Sequence, residues 1–357
     1  MVEVSGSYTA TESTKVVDGT VAFNGTVNNL GTDFIVSGGA ADFNAAAPVS
    51  RSTLTLSGGQ LGGSGTLIFD GLIIWTSGAM TGSGRTVAKG GLEISGPLPK
   101  AIWDRTIDNA AITVWSGGNL NCRGGIFNNL AGAVFEARHS TDTVWFGNQQ
   151  QPSFNNAGTF RKFDGAGETA FRQVSFNNTG TVSLESGRLH LAGGGTSRGS
   201  LQAALGSSLR FGISGAVPST NVWEASATLT SAGPVEFDGD VVVFDGAYAT
   251  TASTAVRGGT VIFNGLVNNL GDSLTLSNGT VNFNNPAPVT TTTVDLHQGT
   301  LGGSGTLVAN GLLTWRGGYM TGPGRTVANG GMIIRNQFNV ILDGRILENA
   351  GRAVFTP

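Results

Sequence analysis

The sequence predicts an all-β fold, a parallel β-helix (β-solenoid) with about 20 residues per coil. Three observations predict it: a 240-residue internal repeat, a shorter period within that repeat, and the composition. Glycine is 57 of 357 residues and charged residues are 12%, against typical shares of about 7% and about 25%. Apolar spacing of the helical kind is not sustained anywhere. Glycine at this density suits a chain that turns a corner every few residues.

The long repeat covers residues 1–117, which return as 241–357. In its best-matched stretch, GGSGTLIFDGLIIWTSGAMTGSGRTVAKGG from residue 62 returns as GGSGTLVANGLLTWRGGYMTGPGRTVANGG from residue 302. No insertion or deletion interrupts the register. Internal repetition with a fixed length indicates a repeat array with one growing core. We therefore expect residues 1–357 to form a single continuous β-solenoid domain that ends in mid-repeat, as a segment of a longer chain or a protomer that continues into a neighbour.

The shorter period appears in Ser-Gly pairs about 20 residues apart, which begin at Ser37, Ser57, Ser77, Ser95 and Ser116. Short apolar runs between the pairs are bounded by Gly, Asn, Asp and Ser, which are strand and turn signals. Each coil should hold two or three short strands that stack in parallel about 4.8 Å apart. Roughly 18 such coils would build a rod of the order of 85 Å.

Alternation along the strands predicts which side chains face the core. Val21 and Phe23 should point inward, and Leu54 and Leu56 should do so around an outward Thr55. Residues 139–233 form the less regular middle of the chain. Within it, residues 139–154 break the coil spacing and form the loop that we expect to protrude, and the LQAAL stretch from residue 201 is predicted to be a strand.

A second recurring signature is an asparagine pair or a close relative, as in VNNLG, FNNAG and LENAG. Asparagine tolerates left-handed backbone and bonds main-chain groups at corners, so we interpret these residues as structural. Stacked in register, their amides would form ladders from coil to coil. The residues are Asn28, Asn29, Asn109, Asn128, Asn129, Asn155, Asn156, Asn177, Asn178, Asn268, Asn269 and Asn349.

Two residue pairs related by the long repeat invite a binding role. Trp75 and Trp315 could stack on sugars if exposed, but the alternation around them predicts that they point inward. Arg85 and Arg325 lie in the shared G-x-G-R-T-V-A stretch. They fit either a row that binds sugars or carboxylates, or guanidinium groups that cover their own turn carbonyls. We favour the second interpretation.

Three acids form the strongest candidate metal site, a calcium site at Glu236, Asp238 and Asp240. The run VEFDGDVVVFD places them on one face of a strand, with Val235, Phe237 and Val241 on the other. The same pattern is typical of acids on a solvated strand face, which we favour, so no cofactor or metal is predicted.

Catalytic patterns receive little support, and we predict that the chain is not an enzyme. His139, His190 and His297 lie far apart in the sequence and are interpreted as surface substitutions. Asp104 and Asp108 could form a pair of catalytic carboxylates, as could Asp164 and Glu168. However, the long repeat replaces Asp104 by glycine and Asp108 by glutamate.

Charge, cysteine content and hydropathy exclude several classes of protein. A net charge of −3 gives no basis for binding nucleic acid or an acidic membrane surface. The single cysteine, Cys122, rules out an intrachain disulfide. We expect no membrane insertion, because no apolar run approaches 18 residues. The start MVEVSGSY lacks the pattern of a signal peptide.

The repeated GTLGGSGTLVANGLLTWRGGYMTGPGRTVANGG stretch and the FNNxGT units resemble the glycine-rich β-solenoid repeats of large bacterial surface proteins, namely autotransporter passengers and filamentous haemagglutinin-like adhesins. The resemblance implies an extracellular or cell-surface location and a structural shaft that extends an adhesin or assembles end to end into a filament. The implied partners are further copies or repeats of the chain itself, and a cell-surface glycan or host receptor. The alternative function is a carbohydrate-binding or polysaccharide-cleaving β-helix with a groove near residues 139–170.

Overall fold

The computed structural model describes residues 1–45, 49–51, 53–147, 150, 152–212, 219–335 and 337–356. These residues form an all-β parallel β-solenoid of about 17 turns, with about 20 residues between stacked turns and no helix. The predicted fold class is confirmed. The chain forms two compact units, Met1–Ser183 and Leu184–Pro357, and the single continuous domain stays a prediction.

The first unit is built from short strands, mostly of three to five residues, which begin at the second residue of the chain. They are β1 (Val2–Val4), β2 (Tyr8–Ala10), β3 (Ser13–Val16), β4 (Thr20–Phe23), β5 (Val27–Leu30), β6 (Asp33–Val36), β7 (Ala40–Phe43), β8 (Val49–Arg51), β9 (Thr53–Gly62), β10 (Thr66–Phe69), β11 (Ile73–Thr81), β12 (Arg85–Ala88), β13 (Leu92–Ile94), β14 (Lys100–Trp103), β15 (Thr106–Asn109), β16 (Ile112–Trp115), β17 (Leu120–Arg123), β18 (Ile126–Asn129), β19 (Val134–Ala137), β20 (Thr143–Gly147), β21 (Ser153–Asn156), β22 (Thr159–Lys162), β23 (Glu168–Arg172), β24 (Ser175–Asn178) and β25 (Thr181–Leu184).

The second unit continues the same pattern. Its strands are β26 (Arg188–Ala192), β27 (Gly195–Ser197), β28 (Ser200–Ala203), β29 (Ser208–Phe211), β30 (Thr220–Trp223), β31 (Thr228–Ser231), β32 (Val235–Phe244), β33 (Ala247–Thr250), β34 (Ser253–Phe263), β35 (Val267–Leu270), β36 (Ser273–Leu276), β37 (Thr280–Phe283), β38 (Val289–Thr291), β39 (Thr293–Leu296), β40 (Thr300–Gly302), β41 (Thr306–Ala309), β42 (Leu313–Trp315), β43 (Gly318–Thr321), β44 (Arg325–Ala328), β45 (Met332–Arg335), β46 (Val340–Asp343), β47 (Ile346–Asn349) and β48 (Ala353–Thr356).

Strands of successive turns pair in parallel. In the first unit β15 pairs with β18 and β16 with β19, and in the second unit β34 pairs with β37 and β41 with β44. Two isolated antiparallel bridges, Trp103–Gly124 and Thr321–Gly344, lie outside these ladders. Parallel stacking places equivalent side chains of neighbouring turns directly over one another.

Stacked aromatic rings fill the interior of each unit. In the first unit the rings of Phe127 and Phe154 stack at 5.5 Å, and in the second unit those of Phe263 and Phe283 stack at 5.3 Å. Leu54 and Leu56 are fully buried, as the alternation predicts. Phe23 is buried too, but Val21 is only half-buried, although its strand pairs with β1 on one side and with β7 on the other.

The irregular middle of the chain contains longer turns. Asn129 and Asn156 occupy equivalent positions of neighbouring turns although they are 27 residues apart, whereas Asn109 and Asn129 are 20 apart. Residues 143–147 do not protrude as a loop, since they form β20, which pairs in register with its neighbours. Residues 148, 149 and 151 of the predicted loop lie outside the described residues. The LQA residues of LQAAL lie in β28, so the predicted strand is confirmed.

Candidate functional site

A ladder of buried amides runs through the first unit and confirms the predicted stacking of asparagines. Asn109, Asn129, Asn156 and Asn178 are at most 2% exposed. Each of the first three donates from Nδ2 to Oδ1 of the next, over 2.8, 2.7 and 2.8 Å. Each of these Nδ2 atoms also donates to a main-chain carbonyl at 3.0 Å. Such pairing removes the cost of burying the amides and penalises any slip in register.

A second ladder lies beside the first on the outer side of the strands. Asn177 donates to Asn155 at 2.9 Å, Asn155 to Asn128 at 2.8 Å, and Asn128 to the Asp108 carboxylate at 2.7 Å. All three asparagines are half-buried, whereas those of the inner ladder are buried. Asp108 ends this row and also pairs with Arg85.

The remaining predicted asparagines have local roles. Asn29 and Asn269 accept hydrogen bonds at Oδ1 from the main-chain N–H groups of Gly31 and Gly271, at 3.0 and 2.9 Å. Their neighbours Asn28 and Asn268 are exposed, because leucine takes the inward position in these VNNL strands. Asn349 donates to the Gly351 carbonyl at 2.6 Å, and its buried Oδ1 atom has no hydrogen-bond partner.

The favoured interpretation of Arg85 and Arg325 is wrong. Arg85 is half-exposed and pairs with Asp108, and Arg325 pairs with Glu348 at 2.7 Å. Both lie at the first position of a strand whose buried residues are the second and fourth, so their side chains point outward. In each copy of the repeat this arginine forms an ion pair with an acid of the next turn. Another residue donates hydrogen bonds to the turn carbonyls.

That residue is the next arginine along the chain, Arg105 in the first unit and Arg345 in the second. The Arg105 guanidinium donates to the carbonyls of Gly63, Thr81 and Arg85 at 3.0–3.1 Å. Its Nε atom donates to the Thr86 hydroxyl at 2.8 Å. Burial lowers the pKa of Arg105 to about 10, so it stays charged at neutral pH. It bridges corners from three turns.

Arg345 repeats this arrangement in the second unit. Two of its acceptors lie 42 and 40 residues before it in the sequence, and Arg105 has acceptors at the same two separations. It donates to the carbonyls of Gly303, Gly305 and Arg325 at 3.1, 3.2 and 2.8 Å and to the Thr326 hydroxyl at 2.8 Å. The signal that could have identified these residues is their retention, since Arg105 survives as Arg345 while both neighbouring acids change.

Trp75 and Trp315 point inward, as predicted, and are 0% and 2% exposed. Trp315 donates from Nε1 to the Gly317 carbonyl at 3.1 Å. The buried Nε1 atom of Trp75 has no hydrogen-bond partner. Neither ring is available to a sugar in solution.

The three acids proposed as a calcium site do not form a common face. Asp240 has a positive φ of 61°, and its carboxylate accepts hydrogen bonds from Ser219. The register shifts between Asp238 and Val241. Val241 is therefore half-exposed, contrary to prediction, and Val242 is buried in its place.

The favoured interpretation, that these acids lie on a solvated strand face, is wrong for Asp238. The Asp238 side chain is 3% exposed and pairs with Arg210, while Glu236 pairs with Arg257 at 2.8 Å. Arginine neutralises both carboxylates, so neither is left to bind a cation. In the described part of the chain, no three His, Cys, Asp or Glu side chains are grouped to hold a metal ion.

Two of the three histidines are buried, which corrects their interpretation as surface substitutions. His139 is 5% and His190 is 2% exposed, whereas His297 is exposed as predicted. His190 contacts the Gly212 carbonyl oxygen at 2.7 Å through Nε2. His139 lies within hydrogen-bonding distance of Thr143 and Thr169, at 2.7 and 3.2 Å from Nε2. Burial and the charge of Lys162 lower the pKa of His139 to about 4.

The carboxylates weighed as catalytic groups are paired with arginine in three of the four cases. Asp104 pairs with Arg123 at 3.4 Å, Asp108 with Arg85, and Glu168 with Arg172 at 3.4 Å. Asp164 lies at a corner with a positive φ of 59°. These ion pairs give the three acids a structural role, because each pair joins two turns or two residues of one turn.

Each terminal turn exposes apolar side chains whose counterparts in the long repeat are buried. Near the C-terminus Leu342 and Phe355 are 50% and 65% exposed, whereas Ile102 and Trp115 are at most 1% exposed. The first-unit pair is covered by the following turn, through β17 and β19. At the other end Val2 is 59% exposed, and its counterpart Val242, which pairs in register with β30, is buried.

A surface pocket of about 450 Å³ lies in the first unit where three turns change direction. We call it the corner pocket; its lining comes from residues 96–97, 116–119 and 141–143. Gly96, Gly117 and Gly118 belong to this lining, and so do the polar residues Asn119, Asp142 and Thr143. Three of its nine lining residues, 141–143, belong to the segment 139–170 near which a groove was expected, and the other six precede that segment.

A buried lysine lies directly behind the corner pocket. Lys100 is 1% exposed and donates from Nζ to the carbonyls of Gly96 and Gly117, both at 2.9 Å. Gly118, at φ 69°, passes so close that a Cβ atom there would lie 2.6 Å from this Nζ. Burial lowers the pKa of Lys100 to about 8.

No helix in the described residues is long and apolar enough to cross a membrane. Comparison of the chain with family models, with curated proteins and with solved structures found no match in any of the three.

Proposed function

We propose that this chain is a structural β-solenoid shaft of a secreted or cell-surface bacterial protein, which extends an adhesin or assembles end to end into an extracellular filament. Its glycine-rich repeats resemble those of autotransporter passengers and haemagglutinin-like adhesins. The interior supports a mechanical role as well. Amide ladders and the two bridging arginines link successive turns by hydrogen bonds that resist a change of register.

The observation that carries the proposal is the parallel, in-register stacking of equivalent turns, in which each turn covers the core of the turn before it. Leu342 and Phe355 occupy positions where the first copy of the repeat buries Ile102 and Trp115 under a further turn. Burying such side chains contributes roughly 1.5–3 kcal/mol each. The same stacking would let a further turn, of this polypeptide or of a second copy, cover Leu342 and Phe355. A head-to-tail contact between copies generates a filament where its rotation does not close into a ring.

Sedimentation velocity and negative-stain microscopy over a range of concentrations test the filament version. We expect particles that lengthen as the concentration rises, and we expect Leu342→Glu and Phe355→Glu to abolish the lengthening. The matched control is Leu205→Glu, at a residue that is 84% exposed away from the terminal turns. Compact single particles at every concentration would contradict end-to-end assembly.

The extension version has a separate test, because the chain contains its own template for the next turn. Appending a copy of residues 118–137 after residue 357 should cover Leu342 and Phe355 as β17 and β19 cover their counterparts. We expect a higher unfolding midpoint and slower hydrogen exchange in β46 and β48. A scrambled appended segment of the same composition is the control. Equal protection from both segments would contradict the idea that the terminal turn accepts a β-turn.

A carbohydrate-binding or polysaccharide-cleaving β-helix is the second candidate function, and the corner pocket favours the binding form. Its lining includes the hydroxyls of Ser116 and Thr141 and the amide of Asn119, which suit sugar hydroxyls. A glycan-array screen and a reducing-end assay on acidic polysaccharides test this function. A surface glycan or a host receptor is the partner proposed for either role.

A further inference from the structure

We propose that Asn278 is a site of spontaneous chemical modification, at which the main-chain nitrogen of Gly279 cyclises onto the Asn278 side chain and converts it to aspartate or isoaspartate. This site goes beyond the proposed shaft and does not depend on it. Asn278-Gly279 is one of five Asn-Gly pairs in the sequence. It differs from the other four in what its amide groups bond to.

The five pairs are alike in sequence and in exposure. A glycine that follows asparagine has no Cβ atom to hinder the approach of its nitrogen to the preceding side chain. All five asparagines are exposed and lie between strands, so solvent access does not distinguish them. They are Asn24, Asn264, Asn278, Asn310 and Asn329.

Hydrogen bonds to neighbouring turns hold the reacting groups of the other pairs. In three of these pairs the glycine N–H donates to a main-chain carbonyl of the preceding turn. The bonds join Gly25 to Val4 at 2.9 Å, Gly265 to Phe244 at 2.9 Å and Gly311 to Thr292 at 2.7 Å. Each bond must break before the glycine nitrogen can attack, which lowers the rate of cyclisation.

The side-chain amides of the other four pairs are held as well, each by an asparagine of an adjacent turn. Asn24 accepts from Asn44 at 2.9 Å, Asn264 from Asn284 at 3.0 Å, and Asn310 from Asn329 at 3.2 Å. These bonds oppose a movement of the side chains toward their own glycines.

Asn278 and Gly279 lack these restraints. The Gly279 N–H donates to Oδ1 of Asn278 itself at 3.1 Å, which places the attacking nitrogen beside the carbonyl group that it must reach. In the described part of the chain, neither this N–H nor the Asn278 side chain bonds to a neighbouring turn. The preceding turn has Gly258 at the equivalent position, because Thr260 pairs with Thr280, and glycine offers no side-chain amide.

The reaction needs no reagent besides water. The Gly279 nitrogen loses its proton to solvent and forms a bond to Cγ of Asn278. The bond from Cγ to Nδ2 breaks, and Nδ2 leaves as ammonia after taking a proton from solvent. Water then opens the succinimide ring at either of its carbonyl carbons, which gives aspartate or isoaspartate.

The corner accommodates the aspartate product, because aspartate already occupies the same place in another turn. Asp18-Gly19 lies directly before β4 as Asn278-Gly279 lies directly before β37. The Gly19 N–H donates to Asp18 Oδ1 at 2.7 Å, and φ is 70° at Gly19 and 79° at Gly279. Isoaspartate, in contrast, adds a carbon atom to the main chain of the corner.

Peptide mapping by mass spectrometry, after incubation of the whole chain in mildly alkaline buffer, tests the proposal. Trypsin releases Asn264, Asn278 and Asn310 in one peptide, residues 258–316, because no lysine or arginine lies between Arg257 and Arg316. Fragment ions therefore compare the three sites within one molecule. We expect the native chain to convert Asn278 at least about fivefold faster than either other site, the factor that corresponds to one hydrogen bond.

The unfolded chain supplies the matched control. In guanidinium chloride the bonds between turns are lost, and the three sites should convert at similar rates. An Asn278→Gln variant should greatly slow conversion at that position, because glutamine has to form a larger ring, and should leave the other two sites unchanged. Equal rates at the three sites of the native chain, or a slower rate at Asn278, would overturn the proposal. A difference between the sites that persists in the unfolded chain would also overturn it.

Discussion

Replacing Asn129 by alanine should destabilise the protein far more than replacing its neighbour Asn128. The two residues are adjacent in β18 and each takes part in an asparagine ladder. They differ in burial, since Asn129 is 0% exposed and Asn128 is half-buried. The pair therefore separates the effect of burial from the chemistry of the side chain.

The expected loss for Asn129→Ala follows from the partners that it leaves behind. Asn129 donates to Asn156 Oδ1 at 2.7 Å and to the Thr159 carbonyl at 3.0 Å. It also accepts from Asn109 Nδ2 at 2.8 Å, but that group keeps its bond to the Val134 carbonyl. Two buried acceptors thus lose their donor at about 1–3 kcal/mol each, which gives a total loss of about 2–6 kcal/mol.

Asn128→Ala should cost only about 0.5–1 kcal/mol, because water can replace the lost partner at a half-buried position. The measurement is urea unfolding of both variants and of the unmodified chain, followed by far-UV circular dichroism. Equal losses in the two variants, or a larger loss in Asn128→Ala, would show that the inner ladder does not hold the turns together.

Three further predictions concern charged and reactive side chains. Arg105→Met should lower the free energy of unfolding by about 3 kcal/mol, because it removes the donor to several turn carbonyls. Arg325→Met should cost less than about 1 kcal/mol, because both side chains of its ion pair with Glu348 are exposed, at 46% and 44%. Thermal or urea unfolding compares the two variants, and the reverse order would contradict the role given to Arg105. The pKa of His139 is about 4 in the folded chain and 6.5 ordinarily, so this side chain is protonated at a higher pH in the unfolded chain than in the folded chain. The free energy of unfolding should therefore fall by up to about 3 kcal/mol as the pH drops from 6.5 to 4. In a His139→Gln variant the free energy of unfolding should depend less steeply on pH in this range, and an unchanged dependence would refute the prediction. Cys122 is buried and its pKa is raised to about 12, so a thiol-specific reagent should react slowly with the native chain and fast in guanidinium chloride, and rapid labelling of the native chain would contradict its burial.

The periodic part of this fold was accessible from the sequence because each turn repeats the same physical problem. Alternating apolar residues fix the inward face of each strand, and this placed Leu54, Leu56 and the two repeated tryptophans correctly. Asparagines at equivalent positions of successive turns similarly predicted an amide ladder. In each case the same structural position occurs several times in the sequence, so its residues can be compared.

The errors arose where the chain departs from regular alternation. Asp240 adopts a positive φ, which shifts the strand register and buries Val242 in place of Val241. Arg85 and Arg105 are both retained by the long repeat, and only the strand boundary determines that the first points outward. Sequence gives that boundary to within a few residues, and one residue reverses the side-chain direction.

The inner asparagine ladder also explains how one solenoid unit can combine a regular core with a pocket. Its successive members are 20, 27 and 22 residues apart, yet the hydrogen bonds between them are nearly the same length. The extra residues are therefore accommodated outside the ladder, and the turn that holds most of them also carries His139 and the 141–143 side of the corner pocket. Since the buried amides fix the register of the strands, the corners are free to vary in length and chemistry without disturbing the stack. The proposed shaft and the proposed glycan site would therefore use separate residues of the same turns, so one unit can accommodate both.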